Sequence, residues 1–122
     1  MKKLLYIFLF LFFAIKSFGQ INLVPNYSYE QYTQCPDNEN QVSYSTGWKS
    51  YYASPDYYNI CATNPWVSIP YNIGGSYQQT ATGTAYCGFY AYWSPTFSGG
   101  YTNMREHIGR QLSSPLVIGI KY

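Results

Sequence analysis

Short apolar runs recur along the chain and are separated by clusters of Pro, Gly, Asn and Ser. This spacing is typical of the strands of an all-β sandwich or barrel, because long apolar periods of 3.6 residues are few. The strongest run is TAYCGFYAYW at 84–93. Both of its alternating faces are apolar enough to be covered, so it predicts a central strand. A first strand is predicted at 21–24 and, after a break at Pro25, a second at 27–32.

The pattern is more ambiguous near the C-terminal end. A helix at 102–112 would begin with a capping box, but Gly109 weakens it and strand alternation fits the same residues, so a strand is favoured. Residues 116–122 resemble the start of a further strand. Since a strand without a partner would leave an open sheet edge, we expect the protein to continue beyond Tyr122.

The N-terminal residues have the pattern of a secretory signal peptide. Two lysines open the chain, an uncharged apolar run follows at 4–15, and a small-x-small triplet, Ser-Phe-Gly, ends at position 19. A membrane-spanning helix would need about 20 apolar residues, which this run lacks. We predict cleavage after Gly19, export to the cell surface or the medium, and no transmembrane segment in the mature chain, 20–122.

Composition indicates one domain that does not bind nucleic acid. The 122-residue precursor has a net charge of +2, but cleavage removes three of its seven basic residues and leaves four against five acidic ones, a net charge of −1. No basic patch remains to neutralise phosphates. Charged residues make up only 10% of the chain and tyrosines number 16, so the mature surface is expected to be rich in amphipathic rings.

Three cysteines in an oxidising compartment allow three different pairings. Cys35–Cys61 is preferred because both residues lie in polar, loop-like segments, whereas Cys87 lies inside a predicted strand. Closing this loop of about 27 residues would stabilise the fold by about 3.5 kcal/mol in the chain-entropy model. A zinc site is disfavoured, because the chain has no Cys-x-x-Cys pair and a single histidine, His107.

The candidate ligand-binding residues lie mainly in a predicted loop at 55–61. A carboxylate, two rings and an amide occur there together: Asp56, Tyr57, Tyr58 and Asn59. Such groups stack on sugar rings and orient their hydroxyls, and Arg105 is a further candidate. The alternative is that the polar groups form a turn and the tyrosines pack onto Trp48. The chain has no Gly-x-Ser-x-Gly elbow, and nothing sets the spacing of a carboxylate pair, so we expect no enzyme.

Six short motifs occur in one order and carry a resemblance to a known group. They are NLVPNYSYEQYTQCP at 22–36, GW at 47–48, PDYYNIC at 55–61, VSIPYNIGG at 67–75, TGTAYCGFYAY at 82–92 and REHIGRQLSSPLVIGIKY at 105–122. Together they resemble the N-terminal galactose-binding-like jelly-roll domain of secreted and outer-membrane proteins of Bacteroidetes. Members often carry a type IX sorting signal, a gliding-motility-type segment or an outer-membrane-protein-A-like domain. Cys87 and His107 depart from the pattern, and the second half of the domain is missing.

The resemblance implies a jelly-roll β-sandwich, incomplete in this chain, in a secreted or outer-membrane protein. With the ring and amide groups at 56–59, the expected function is a recognition module for polysaccharide at the cell surface. It also implies a structural Ca²⁺ near the end of the first strand, with Glu30 as a ligand, since calcium prefers oxygen donors. The rival interpretation is a structural or assembly module of an outer-membrane or cell-wall-associated protein that binds no sugar.

Overall fold

The structure is a computed structural model that describes residues 22–73, 76–93 and 103–122. Val24–Pro115 form one compact unit, and the described residues at 22–23 and 116–122 belong to a second. Within the described ranges the chain forms strands and turns but no α-helix, and no helix there is long and apolar enough to span a membrane. The predicted signal peptide lies outside the described residues.

In the part of the chain that the structure describes, six short strands pair into three two-stranded antiparallel ladders, β1 with β6, β2 with β5 and β3 with β4. Their bounds are β1 (Lys49–Tyr52), β2 (Asp56–Asn59), β3 (Tyr71–Asn72), β4 (Ser76–Tyr77), β5 (Ala85–Gly88) and β6 (His107–Gly109). A single 3-10 turn at Val42–Tyr44 precedes β1. The predicted all-β class is confirmed by these elements.

The core of the Val24–Pro115 unit is built around strand β2. The side chains of Tyr57 and Tyr58 are buried there, together with Val42, Val67 and Ala85. Tyr58 pairs with Tyr86 across the β2–β5 ladder, and the two rings stack with centroids 4.8 Å apart. Stacked aromatic pairs across a ladder stabilise a sheet beyond the area that they bury. The core is therefore small and largely aromatic.

The strongest predicted strand is shorter than its pattern. Strand β5 ends at Gly88, and among the described residues it pairs only with β2, so the prediction of a covered central strand is wrong. Beyond Gly88 the chain leaves β2. The N–H of Tyr90 donates to a carboxylate oxygen of Glu106, 2.8 Å away, and its carbonyl oxygen accepts from the N–H of Glu106, while Trp93 and Met104 exchange backbone hydrogen bonds. Several side chains of this segment are exposed: Phe89, Tyr90, Tyr92 and Trp93.

The structure forms no strand over the described parts of 21–24 and 27–32: the chain turns at 25–28, and Tyr32 makes an isolated antiparallel bridge with Ser45. Asn26 and Tyr29 have positive φ angles of 46° and 64°, and the N–H of Tyr29 donates to the carbonyl oxygen of Asn26. The Asn26 side chain stabilises this conformation, because it accepts from the N–H of Gln31 at 2.9 Å and donates to its carbonyl oxygen at 2.8 Å. Asparagine tolerates the left-handed region, so this residue ends the extended chain.

Of the two strands predicted near the C-terminal end, one is present and the other is not. Strand β6 confirms the strand interpretation at 107–109. Residues 116–122 form a turn rather than a strand, with the N–H of Ile120 donating to the carbonyl oxygen of Val117. Gly119 occupies the left-handed region of that turn with φ 84°, which a strand could not accommodate.

The cysteine pairing was predicted correctly. Cys35 and Cys61 form a disulfide with Cα atoms 5.7 Å apart. Cys87 lies on β5 with a free thiol, and burial, reinforced by the nearby carboxylates of Asp56 and Glu106, raises its pKa to about 12. The thiol therefore stays protonated at neutral pH.

Candidate functional site

The predicted ligand-binding loop at 55–61 is largely a buried strand. Residues 56–59 form β2, which pairs with β5, so the loop assignment is wrong. The side chain of Tyr57 is 0% exposed and that of Asn59 is 1% exposed. Neither can present a ring face or an amide to a sugar in this conformation.

Tyr57 and Asn59 instead form a hydrogen-bond network in the core. The Tyr57 hydroxyl donates to the carbonyl oxygen of Tyr29 at 2.9 Å and accepts from Asn59 Nδ2 at 2.7 Å. Asn59 Oδ1 accepts from the N–H of Cys61 at 3.0 Å. Burial raises the pKa of the Tyr57 hydroxyl to about 12, so it remains a donor throughout the neutral range. The network connects β2 to the turn at Tyr29 and to the disulfide.

Asp56 and Tyr58 line a small cavity, termed here the acidic cavity. It has a volume of about 190 Å³ and is lined by Glu39, Asp56, Tyr58, Gly88, Phe89, Tyr90 and Glu106. Asp56 Oδ1 accepts from the N–H of Asn40 at 2.7 Å, and its Oδ2 accepts from the Tyr58 hydroxyl at 3.3 Å. Both oxygens of the Asp56 carboxylate thus accept hydrogen bonds from within the protein.

Glu106 and Arg105 point in opposite directions, as adjacent residues of an extended chain do. Glu106 is buried, and its carboxylate accepts from the N–H and hydroxyl of Ser54 and from the N–H of Tyr90. Arg105 is exposed, and its guanidinium lies 5.7 Å from the centre of the Tyr92 ring. Arg105 does not line the acidic cavity, so the structure does not bring it together with Asp56 and Tyr58.

The stability of the fold should respond to the ionisation of Asp56. Burial is the main cause that raises the pKa of this carboxyl above its ordinary value of 3.8, and the N–H of Asn40 opposes the shift. A carboxyl with a raised folded-state pKa stabilises the fold below its unfolded-state pKa, and that contribution is lost as the pH rises through the folded-state value. Relative to the natural chain, Asp56→Asn should therefore gain stability from pH 3 to pH 7.

Urea denaturation of both proteins at several pH values measures this difference directly. The substitution also alters the hydrogen bonds to Asn40 and Tyr58. Their dependence on ionisation is already part of the Asp56 pKa, and the remaining effect adds the same amount to the difference at every pH. A difference in unfolding free energy that stays constant or falls with increasing pH would contradict the account.

The surroundings of Glu30 do not fit the calcium site that the resemblance implies. Its carboxylate oxygens accept from the N–H of Thr84 at 2.9 Å, the Thr84 hydroxyl at 2.7 Å and the N–H of Ala85 at 3.1 Å. These three donors occupy acceptor positions of the carboxylate that a cation would need, and calcium requires about six to eight oxygen ligands. The described residues contain no cluster of three or more His, Cys, Asp or Glu that could hold a metal ion. Glu30 instead anchors the start of β5.

A larger cavity lies beside the β1–β6 ladder and is termed here the basic cavity. Its volume is about 390 Å³, and it is lined by Gly47, Lys49, Tyr51, Arg110, Gln111 and Leu112. Ligand pockets in proteins have volumes of roughly 300–1,000 Å³, so this one is large enough for a small ligand or a segment of a polymer. Tyr51, one of the lining residues, is 70% exposed.

An irregular strand and two glycines shape the basic cavity. Lys49 pairs with Gly109, but the register shifts between Ser50 and Tyr52, so Tyr51 is an extra residue on β1. Bulges of this kind redirect a side chain. A Cβ atom at Gly109 would come within 2.8 Å of the Tyr51 ring, so the glycine allows that ring to lie against β6.

Gly47 does the same for Arg110. Its φ angle is 82°, and any Cβ atom there would collide with the Arg110 guanidinium. That guanidinium donates from one terminal nitrogen to the carbonyl oxygen of Thr46. Its Nε is buried and has no hydrogen-bond acceptor among the described residues. The Arg110 side chain is therefore held in place against Gly47 and Thr46.

Sequence reasoning did not identify Lys49, Tyr51 or Arg110 as site residues. No local signal marks them: two of the four basic residues in 20–122 line this cavity, but Lys49 and Arg110 come together only through the pairing of β1 with β6. No protein-family model, curated protein or solved structure matches the chain. The functional proposal is accordingly based on the geometry and charge of the residues described above.

Proposed function

We propose that the chain is an exported, non-catalytic recognition module that binds carbohydrate in the basic cavity. The observation that carries the proposal is the exposed Tyr51 ring at the edge of a 390 Å³ cavity, beside Lys49, Arg110 and Gln111. Sugar rings stack on tyrosine faces, and ammonium, guanidinium and amide groups donate to their hydroxyls. The proposal thus keeps the chemistry expected from the sequence and moves it from Tyr57 to Tyr51.

Two further observations support a role outside the cell. The Cys35–Cys61 disulfide is of a kind that forms and persists in oxidising compartments. The antiparallel ladders are compatible with the jelly-roll sandwich that the resemblance implies. In this proposal the β-strands hold the residues of the basic cavity in position. The expected location is the cell surface or the medium.

Isothermal titration of the purified chain against a panel of neutral and acidic oligosaccharides tests the proposal. Tyr51→Ala should weaken binding roughly 10-fold, because it removes the stacking ring, while Tyr51→Phe should retain it. Tyr27→Ala is the matched control, since Tyr27 is 63% exposed and does not line the cavity. Equal losses at Tyr27 and Tyr51, or no binding of any saccharide by a folded chain, would contradict the proposal.

A second candidate function is a structural or assembly module that binds no sugar. It is favoured by a run of exposed aliphatic side chains: Leu116, Val117, Ile118 and Ile120. Contiguous exposed apolar residues often mark contacts with another protein or domain. This candidate predicts no saccharide binding. It also predicts that Ile118→Asp reduces association with an attached cell-wall-binding or surface-anchored domain in a sedimentation experiment.

A further inference from the structure

We infer that the saccharide bound in the basic cavity is acidic, carrying carboxylate or sulfate groups that pair with Lys49 and Arg110. This inference rests on the proposed function and specifies its ligand class. It starts from the distribution of charge, because the six residues that line the cavity include two cations and no acidic residue. Clefts lined by charges of one sign concentrate the electric field and attract ions of the opposite sign.

The charge in this cavity contrasts with that of the rest of the mature chain. All five acidic residues of 20–122 lie outside the cavity lining, and three of them, Glu39, Asp56 and Glu106, line the separate acidic cavity. An anionic polymer is therefore attracted to the basic cavity and is not attracted to the acidic cavity. A polyanion with a uniform, dense phosphate backbone would need more cations than the two present here.

Arg110 supplies the geometry that recognises an anion. A guanidinium has five N–H donors in a planar fork that matches a carboxylate or sulfate group through two parallel hydrogen bonds. One terminal nitrogen donates to Thr46 and Nε is buried, so a ligand in the cavity would be recognised by the terminal N–H groups of the guanidinium. A neutral sugar would leave this charge without a counter-ion once water is displaced, which is costly.

The other residues around the cavity are suited to the sugar itself. The exposed Tyr51 ring offers a stacking face, and Gln111 offers a neutral donor and acceptor for a hydroxyl group. Lys49 is exposed, so its ammonium group can reach a second charge along the same chain. Charge and stacking therefore occur at one place, as an acidic polysaccharide requires.

Titration with two matched pairs of oligosaccharides tests the inference. The first pair is oligogalacturonate and its methyl ester, which differ only in the carboxylate charge. The second is a sulfated galactan oligosaccharide and its desulfated form. We expect the charged member of at least one pair to bind roughly 10- to 100-fold more tightly than the neutral member, as charge-assisted hydrogen bonds do. Comparison of the pairs shows which anion is preferred.

Three variants and a salt series complete the experiment. Lys49→Gln and Arg110→Gln should each reduce the preference for the charged member, whereas Lys121→Gln removes an exposed lysine that does not line the cavity and should leave it unchanged. Raising the salt concentration should weaken binding of the charged member only. Thermal melting checks that Arg110→Gln still folds. If Arg110→Gln does not fold, Lys49→Gln alone tests the inference, because it alters an exposed side chain.

The outcomes separate this inference from the proposed function. Equal binding of the charged and neutral members, with no effect of Lys49→Gln, would overturn the inference and leave carbohydrate binding intact. Failure of every oligosaccharide to bind the folded chain would overturn both.

Discussion

Tyr57→Ala is expected to destabilise the fold by about 3–5 kcal/mol. The Tyr57 side chain is fully buried at the centre of β2, with its ring 6.3 Å from that of Tyr32. Alanine would leave a cavity that its neighbours could fill only in part. Urea denaturation followed by tryptophan fluorescence measures the loss.

Tyr57→Phe separates the contribution of the hydroxyl from that of the ring. It keeps the packing but leaves the carbonyl oxygen of Tyr29 and the amide of Asn59 without their partner. Unsatisfied buried polar groups cost about 1–3 kcal/mol, so a loss in this range is expected. Tyr71→Phe is the control, since Tyr71 is 69% exposed and the same change should have little effect. Equal stability of the two variants would contradict the network.

Removal of the disulfide is expected to destabilise the fold by about 3.5 kcal/mol in the chain-entropy model. The cysteines are 26 residues apart, and the loop that they close contains both β1 and β2. Opening it would increase the conformational entropy of the unfolded chain while most native contacts remain available. The double variant Cys35→Ala, Cys61→Ala avoids leaving an unpaired reactive thiol.

Urea denaturation of the double variant and of the natural chain measures this effect. The natural chain in reducing buffer should show a similar loss, because Cys35 is exposed and a reductant can reach the bridge. Cys87→Ala is the control, since it leaves the bridge intact and should keep the sensitivity to reductant. A double variant as stable as the natural chain would show that the bridge does not constrain the unfolded state.

The disulfide and two strand positions could be predicted because their signals are local. Cys35 and Cys61 stand in polar segments, and the alternation at 85–88 and 107–109 is visible in the residues themselves. The segment at 56–59 carried the opposite signal, with Pro55, an aspartate and an asparagine that are typical of turns. Pairing with β5 overrides that local preference, and the sequence alone does not reveal this partner.

The basic cavity depends on contacts that no local pattern encodes. Lys49 and Arg110 are distant in sequence and come together only because β1 pairs with β6 in a particular register. The position of Tyr51 requires the shift in that register, and Gly47 and Gly109 provide space that is visible only once the facing side chains are placed. Composition revealed how few basic residues the mature chain has, but not that two of them line one cavity.

Chemical-shift titration of the ¹⁵N-labelled chain with oligogalacturonate tests most directly whether an acidic carbohydrate binds in the basic cavity. The account predicts that the largest amide shifts occur at Lys49, Tyr51, Arg110 and Gln111 and saturate with the ligand. The amides of Tyr57 and Asn59, buried on β2, should change little. Shifts concentrated on β2 or around the acidic cavity, or no shifts with any oligosaccharide, would contradict it.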